Sequence, residues 1–418
     1  MNSFRIDNCY DSHVHWLATG DFAERLSLSA LSNPNEILNL SLPEGNWIFG
    51  YGWSVPFEAE CSIELLDQWC KERPVALSKS DGHSLWVNSK ALELSGISKD
   101  AIAKTGVLKE KDRDRVLKSI PEKSSSVILR QLMKAQKIFH ESGITHIRDV
   151  HMKESQFMAA KHLEDSGLLK LAVEAFVFDE SLNHNEKIQL AKSIKGQISQ
   201  GSLIRLCGVK IFLDGSLGSE TAALSEDYLS GSGKGTLFYS EEELAQMISD
   251  CWKEGLEVAI HTIGDAAVDR SCRALRNLAE RGLHGVLHLE HVELMDEKNV
   301  RDLKDLKVTC HMQPGHWLDD QKWLDQKLSA NLKKRIFPWR KLQEAEVPFY
   351  FGSDSPLSTP GIFRIQQALE DAQQNGLPRL LGNFQSYLSH PDRSWPANTF
   401  TEFENGQVKT LHFAGEPI

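Results

Sequence analysis

Asp11-Ser12-His13-Val14-His15 decides the reading of this chain. On a strand, residues two apart point to the same side, so both imidazoles can grip one ion. Alone the pair is weak, because 16 histidines in 418 residues give about 0.6 such pairs by chance. Its weight comes from four further segments that set a ligand-type side chain in or just after an apolar run. They are Val209-Lys210-Ile211-Phe212, Val258-Ala259-Ile260-His261, Leu287-His288-Leu289-Glu290-His291 and Tyr350-Phe351-Gly352-Ser353-Asp354. Such runs are short enough to be buried strands. Groups so far apart in sequence meet only if the fold gathers strand ends into one ring. A parallel barrel does this, with its chemistry at the C-terminal strand ends. The expected product is a metal cage that activates water.

Working outward, strands are expected near residues 6–13, 143–150, 171–178, 204–213, 256–262, 285–291, 307–313 and 347–353. Helical periodicity separates most of them, from Ser124 to His140, Glu241 to Lys253, Asp265 to Arg281, Lys298 to Leu306 and Ile362 to Gln373. The alternation predicts an α/β fold, a (β/α)8 TIM barrel, as one domain over residues 1–418. The first crossover, residues 16–123, is too long for one helix. Within it Ser62 to Lys71 and Ser89 to Ser95 read as helices, and Asp100 to Lys123 as a charged, solvated stretch. Long segments on the catalytic face of a barrel tend to be lids or substrate walls, so this insertion is expected to act as one; a decorative insertion is the alternative. Residues 395–418 form a C-terminal extension. In it Val408-Lys409-Thr410-Leu411-His412-Phe413 alternates like an edge strand and is expected to pair with Phe4-Arg5-Ile6.

Composition excludes several classes. Hydrophobic residues make up 41%, enough for a sizeable core. A net charge of -11 gives nucleic-acid binding no electrostatic support. No run approaches the length of a membrane span, and Met1-Asn2-Ser3-Phe4-Arg5 lacks the apolar region of a signal peptide. The seven cysteines include no Cys-x-x-Cys, so reduced thiols in a cytoplasmic protein are expected. The partner implied is a small-molecule substrate, with neither nucleic acid nor membrane; a homo-oligomer is compatible with this.

His261 counts only as a member of the set, since a lone strand-end histidine is more often structural. In the next run either His288 or His291 would serve; His291 is preferred because it lies at the strand end. An acid after a buried strand is costly unless paired or metal-bound, so Asp354 is expected to hold the ion and to accept a proton from water. Lys210 would be desolvated, which leaves a neutral amine accessible. That amine can add CO2 to become a carbamate bridging two metals; pairing with Asp214 is the alternative. Asp149 and His151 are expected to line the ring at the end of the second strand.

These stretches resemble the amidohydrolase superfamily, and more closely its YtcJ-like branch, which includes N-substituted formamide deformylases. The resemblance runs from residue 11 to about 356. It includes Asp81-Gly82-His83 with Trp86-Val87-Asn88-Ser89-Lys90-Ala91-Leu92, Leu213-Asp214-Gly215-Ser216-Leu217-Gly218-Ser219, Thr262-Ile263-Gly264-Asp265, Met312-Gln313-Pro314-Gly315-His316 and Phe337-Pro338-Trp339-Arg340. It implies a (β/α)8 barrel and metal-dependent hydrolysis, usually of an amide C–N bond. It assigns His13, His15, Lys210, His261, His291 and Asp354 as ligands of one or two divalent ions, zinc foremost. It places His83 and His316 beside Asp354 as catalytic groups, and Gln313 and Arg340 as substrate-binding ones. The chain departs from the pattern twice. Family members usually carry a β-sandwich with several dozen residues before the His-x-His, whereas twelve precede His13, so a reduced or absent sandwich is expected. Glu220 stands where the branch tends to have arginine, so a specific substrate does not transfer.

The function expected is hydrolysis of a non-peptide amide C–N bond, in an N-substituted formamide, N-acyl amine or cyclic amide, by metal-activated water. Asp354 takes the water proton and passes it to the leaving amine. One alternative is a mononuclear aminohydrolase or deaminase on the same barrel. Such sites resemble His-x-x-Glu at the fifth strand, but here Gly264 stands three past His261. The other is a non-catalytic regulatory relic, against which six intact ligand positions argue.

Overall fold

The apolar runs pair side by side. The computed structural model describes residues 3–53, 60–79, 84–99, 102 and 104–418. In it they form eight parallel strands: β1 Tyr10–Val14, β2 His146–Met152, β3 Ala172–Val177, β4 Ile204–Phe212, β5 Glu257–Thr262, β6 Leu287–His291, β7 Thr309–Met312 and β8 Phe349–Phe351. Neighbours in the chain are neighbours in the sheet. The residues after β8 then return to β1. Asp354 N donates to His13 O at 2.8 Å, His15 N to Ser355 O at 2.9 Å, and Val14 bridges Ser355 in parallel sense. The result is the nearly closed (β/α)8 barrel that the strand pattern predicts.

Alternation decides what each strand residue meets. Val173, Val209, Ile211, Val258, Ile260, Leu287 and Leu289 share one apolar core with helix residues such as Leu244, Ile248, Val268 and Leu275. The helices His184–Gly196 and Glu241–Lys253 open with capping boxes, Asn183 with Glu186 and Ser240 with Glu243. The other strand face meets inside the barrel, where branched apolar side chains are the usual filling. Here much of it is polar. Tyr10 donates to Glu174 (2.7 Å), which also meets His390 (3.0 Å), and His288 lies between Glu257 (2.9 Å) and His311 (3.0 Å).

The chain divides into two units, residues 1–20 with 128–418, and residues 21–127. The smaller unit has its own five-stranded sheet and its own apolar clusters, which include Trp53, Leu66, Leu77 and Trp86, and Ile63, Val87, Leu108 and Val116. Its helices Ile63–Trp69 and Ser89–Leu94 match the expectation. Its last part does not. Val107–Lys109 is a strand and Glu110–Ser119 a helix, because Leu108 and Val116 suffice to anchor an otherwise charged stretch.

The two chain ends build a separate sheet. Ser3–Asp7 pairs antiparallel with Phe400–Glu404, which pairs with Gln407–Phe413. The expected direct pairing of Phe4-Arg5-Ile6 with residues 408–413 is therefore corrected: Phe400–Glu404 lies between them. That strand hides behind its two glutamates, while Thr401 and Phe403 are buried and Phe403 stacks on Phe4 at 5.1 Å. Among the described residues no helix is long and apolar enough to cross a membrane.

Candidate metal centre

Four strand ends converge on one carboxylate. Asp354 Oδ1 lies 3.0 Å from His15 Nε2 and 3.4 Å from His13 Nε2, and Oδ2 lies 4.0 Å from His291 Nδ1. His261 joins through its ring, centred 4.4 Å from that of His291, which in turn is 4.8 Å from that of His13. Ligand atoms of the buried His13, His291 and Asp354 all lie within 4.8 Å of one another.

Local backbone makes this possible. Glu290 and His288 share the interior face of β6, so plain alternation would send His291 the other way, with Leu289. Instead the strand breaks, with φ of 73° at His291 and 47° at Val292. The break lets this imidazole join the cluster, whereas His288 keeps strand parity and is spent on Glu257 and His311. Asp354 is also left-handed, at φ 57°. Gly352 lets β8 lie close against β1, since a Cβ there would fall 2.5 Å from His13 N.

The imidazoles are held with one nitrogen free. His13 Nδ1 faces Glu290 Oε2 at 2.6 Å, and a carboxylate only accepts, so Nδ1 carries the proton and Nε2 keeps its lone pair. His261 Nε2 faces the Gly215 carbonyl at 3.0 Å, which leaves Nδ1 free. His291 Nδ1 donates to Gln313 Oε1 at 2.8 Å, an orientation fixed because Gln313 Nε2 donates to His311 O at 3.1 Å. Burial holds His13 down to about 4 and His261 to about 3, so both are neutral near pH 7. Burial favours a protonated Asp354, but His13, His15 and His316 outweigh it and hold the carboxyl well below its usual range. Asp354 Oδ1 is nonetheless buried without a well-formed hydrogen bond. Neutral imidazoles with free lone pairs and an orphaned carboxylate oxygen are a donor set that suits a divalent ion.

The remaining site candidates are distributed unevenly. Lys210 is a buried amine, 5.4 Å from the Phe212 ring centre, without a hydrogen bond or ion pair among the described residues. Burial lowers its pKa to about 8. Asp214, its suggested partner, instead accepts the N–H groups of Ala223, Ile263 and Gly264 at 2.8–3.0 Å. His316 Nδ1 meets Glu293 Oε1 at 2.8 Å, and its Nε2 is 3.5 Å from Asp354 Oδ2. His151 continues the ring of aromatic side chains, centred 5.4 Å from His15, and Asp149 accepts the His151 N–H at 3.1 Å. Phe178 and Phe212 carry the ring on from His151 to His261. Gln313, expected to touch substrate, spends its amide on His291 and His311 instead. Arg340 does not join the cluster, since Glu344 (2.7 Å) and the Arg379 carbonyl (2.9 Å) take up its guanidinium. Glu220 binds Lys327 at 3.0 Å along with Ser230 and Ser232, which ties its own loop together. His83 lies outside the described residues.

Sequence reasoning assigned no role to Glu290, Arg148, Asp11 or Glu293. Asp11 Oδ1 accepts Ser353 N at 2.8 Å and so helps fasten β8 to β1. The available signal was a charged side chain at an interior position of an apolar strand, as in Ile147-Arg148-Asp149 and Leu289-Glu290.

Residues 10–373 match the family model described as the amidohydrolase family, and the chain belongs to that family. It is 28% identical over 399 residues to a putative amidohydrolase, YtcJ, of Bacillus subtilis, covering 88% of this chain and 74% of that protein. An uncharacterized metal-dependent hydrolase from Pyrococcus horikoshii superposes with a TM-score of 0.76 at 26% identity, covering 90% of this chain and 76% of that one. An N-substituted formamide deformylase of Arthrobacter pascens is 21% identical over 383 residues, covering 84% of this chain and 70% of that protein. The chain is thus a metal-dependent hydrolase acting on carbon–nitrogen bonds, with a divalent metal as cofactor.

Proposed function

We propose that this enzyme hydrolyses a non-peptide amide C–N bond in a small molecule: an N-substituted formamide, an N-acyl amine or a cyclic amide. The observation that carries the reading is the orphaned Asp354 Oδ1, 3.0 Å from His15 Nε2 and 3.4 Å from His13 Nε2, in a carboxylate whose ligand atoms lie within 4.8 Å of those of His13 and His291. His13, His15, His261, His291 and Asp354 would hold the ion, and zinc suits this mixture of imidazole and carboxylate. When bound, such an ion polarises a carbonyl and lowers the pKa of water. Asp354, kept ionised, takes the water proton. His316 stands beside it with Nε2 directed to Asp354 and Nδ1 tied to Glu293, the place from which a proton reaches the leaving amine.

As a carbamate, Lys210 would be a further anionic ligand for a site that holds two ions. Its neutral amine adds to the carbon of CO2 and loses one proton, which gives an anionic carbamate. Asp354 and Glu290 are the nearby anions acting on Lys210, so that carbamate needs cations beside it to persist. The deaminase alternative is disfavoured by Gly264, where a Cβ would fall 1.9 Å from the Ala223 carbonyl, so no glutamate fits three residues past His261. Elemental analysis of purified protein, together with a screen of formamides, N-acyl amines and cyclic amides, tests the proposal. One tightly held ion per chain or more, and turnover in one of those classes, is the expected result. Stoichiometric metal with turnover only on ring amines would move the assignment to deamination.

A further inference from the structure

Beneath the imidazoles an ion pair crosses the barrel. Glu290 on β6 and Arg148 on β2 lie four strands apart in a ring of eight, so they reach each other across its axis. Arg148 NH1 meets Glu290 Oε1 at 2.8 Å and the Ser12 carbonyl at 3.3 Å. The other carboxylate oxygen takes His13 Nδ1 at 2.6 Å. Both side chains are essentially inaccessible, at 1% and 0%. The guanidinium lies 4.2 Å over the Phe176 ring, and its Nε and second NH2 have no hydrogen bond.

As core filling this is a poor choice. Branched apolar residues fill such barrels well, and replacing a buried ion pair by apolar side chains is often neutral or stabilising. Two guanidinium nitrogens left without partners add to the cost. The pair does one thing that apolar residues cannot: it presents a charged acceptor to His13 Nδ1. We infer that Glu290, held in place by Arg148, is a positioning residue that fixes the His13 tautomer and so sets the affinity of the centre for its metal. The inference rests on His13 being a ligand. An acceptor behind an imidazole ligand orients the ring and raises its basicity, and its loss costs roughly 10–100-fold in metal affinity.

The test compares two double variants, Arg148→Met/Glu290→Gln and Arg148→Met/Glu290→Leu. Neither leaves Arg148 or Glu290 charged without the other, and Lys210 keeps Asp354 as a nearby anion, so both are expected to fold, as urea unfolding of the metal-free proteins will show. They differ in whether His13 Nδ1 meets an oxygen. Zinc dissociation constants are read by chelator competition. The Gln variant should bind zinc at least tenfold more tightly than the Leu variant, with the native protein tighter than both. Equal affinity in the two variants, or a Leu variant that matches the native protein, overturns the inference. His13→Asn is the control: if it binds zinc as tightly as the native protein, His13 is no ligand and the proposed centre itself fails. Should either double variant not fold, nitrogen-15 spectra of the native protein's histidines decide. The signal lost in His13→Asn should be an Nδ1–H tautomer, and an Nε2–H tautomer there would refute the role of Glu290.

Discussion

Asp354→Asn separates chemistry from structure at this site. The residue sits at φ 57°, where most side chains are strained but asparagine is tolerated. Its backbone bonds, N–H to His13 O and C=O from Leu357 N–H, both 2.8 Å, involve no side-chain atom and should persist. Asparagine keeps an oxygen for the ion but cannot accept a proton. Removing a general base typically costs 10²–10⁴ in rate, and the lower bound corresponds to about 2.7 kcal/mol in the barrier. The expected result is a folded variant with near-native metal content and kcat lowered at least about 10²-fold. The assay is steady-state turnover of a substrate found in the screen, with metal measured on the same sample. A kcat within about fivefold of native at full metal occupancy would refute the reasoning and move the base to His316 or His83. Asp354→Ala is less informative, because alanine at positive φ adds roughly 1–2 kcal/mol of strain and removes the ligand as well.

Chelation should abolish hydrolysis, and zinc or manganese should restore it; full activity in metal-free protein would sink the metal reading. Lys210→Ala should lose one or both ions and most activity, with partial rescue by small carboxylates, and a single ion retained in a fully active variant would remove the bridge. Gly352→Ala should destabilise the protein by about 1–3 kcal/mol, the usual cost of overpacking, because its Cβ would meet His13 N at 2.5 Å; unchanged urea unfolding and metal affinity would contradict that contact. His83→Ala, proposed from the sequence resemblance, should change both turnover and substrate preference, and identical kinetics on several amides would exclude a part for it in the reaction.

Most of the barrel strands were legible because they are apolar runs of the right length that end in a turn signal or a polar group; Tyr10–Val14 and His146–Met152, rich in polar residues, are the exceptions. Residues 257–262 and 309–312 were marked to within two positions at either end. Phe400–Glu404 was not legible, since half of its alternation is glutamate and its partner Ser3–Asp7 is almost 400 residues away. At the site, the histidines and Asp354 stood out by residue type. What surrounds them did not. Gln313 looks like a substrate contact in sequence, and only geometry shows both ends of its amide committed to His291 and to the His311 carbonyl. Arg340 carries a resemblance to family motifs, but an i,i+4 glutamate, Glu344, captures it on its own helix. Glu290 could be read only as an apolar-strand anomaly, because the partner that explains it, Arg148, lies 142 positions earlier.

The strained backbone at the barrel mouth argues in the same direction as the donor set. His291, Val292 and Asp354 all have positive φ, and for the β-branched Val292 this is a conformation that stability alone would avoid. Such residues cost of order 1–3 kcal/mol each and persist only where their surroundings over-determine them. Here they do. Val292 N bonds Thr262 O at 2.9 Å, Leu294 N bonds Ile263 O at 2.9 Å, and Asp354 N bonds His13 O at 2.8 Å, so β5 and β1 clamp the two breaks. Val292 is also fully buried, which adds packing to the clamp. A barrel under no demand at its mouth would continue β6 with regular parity, and His291 would then face the helices with Leu289. The left-handed turns reverse that at two strand ends and leave His291 and Asp354 on a common centre with His13. On the proposed reading, that strain is what brings the candidate donors of β1, β6 and β8 onto one centre.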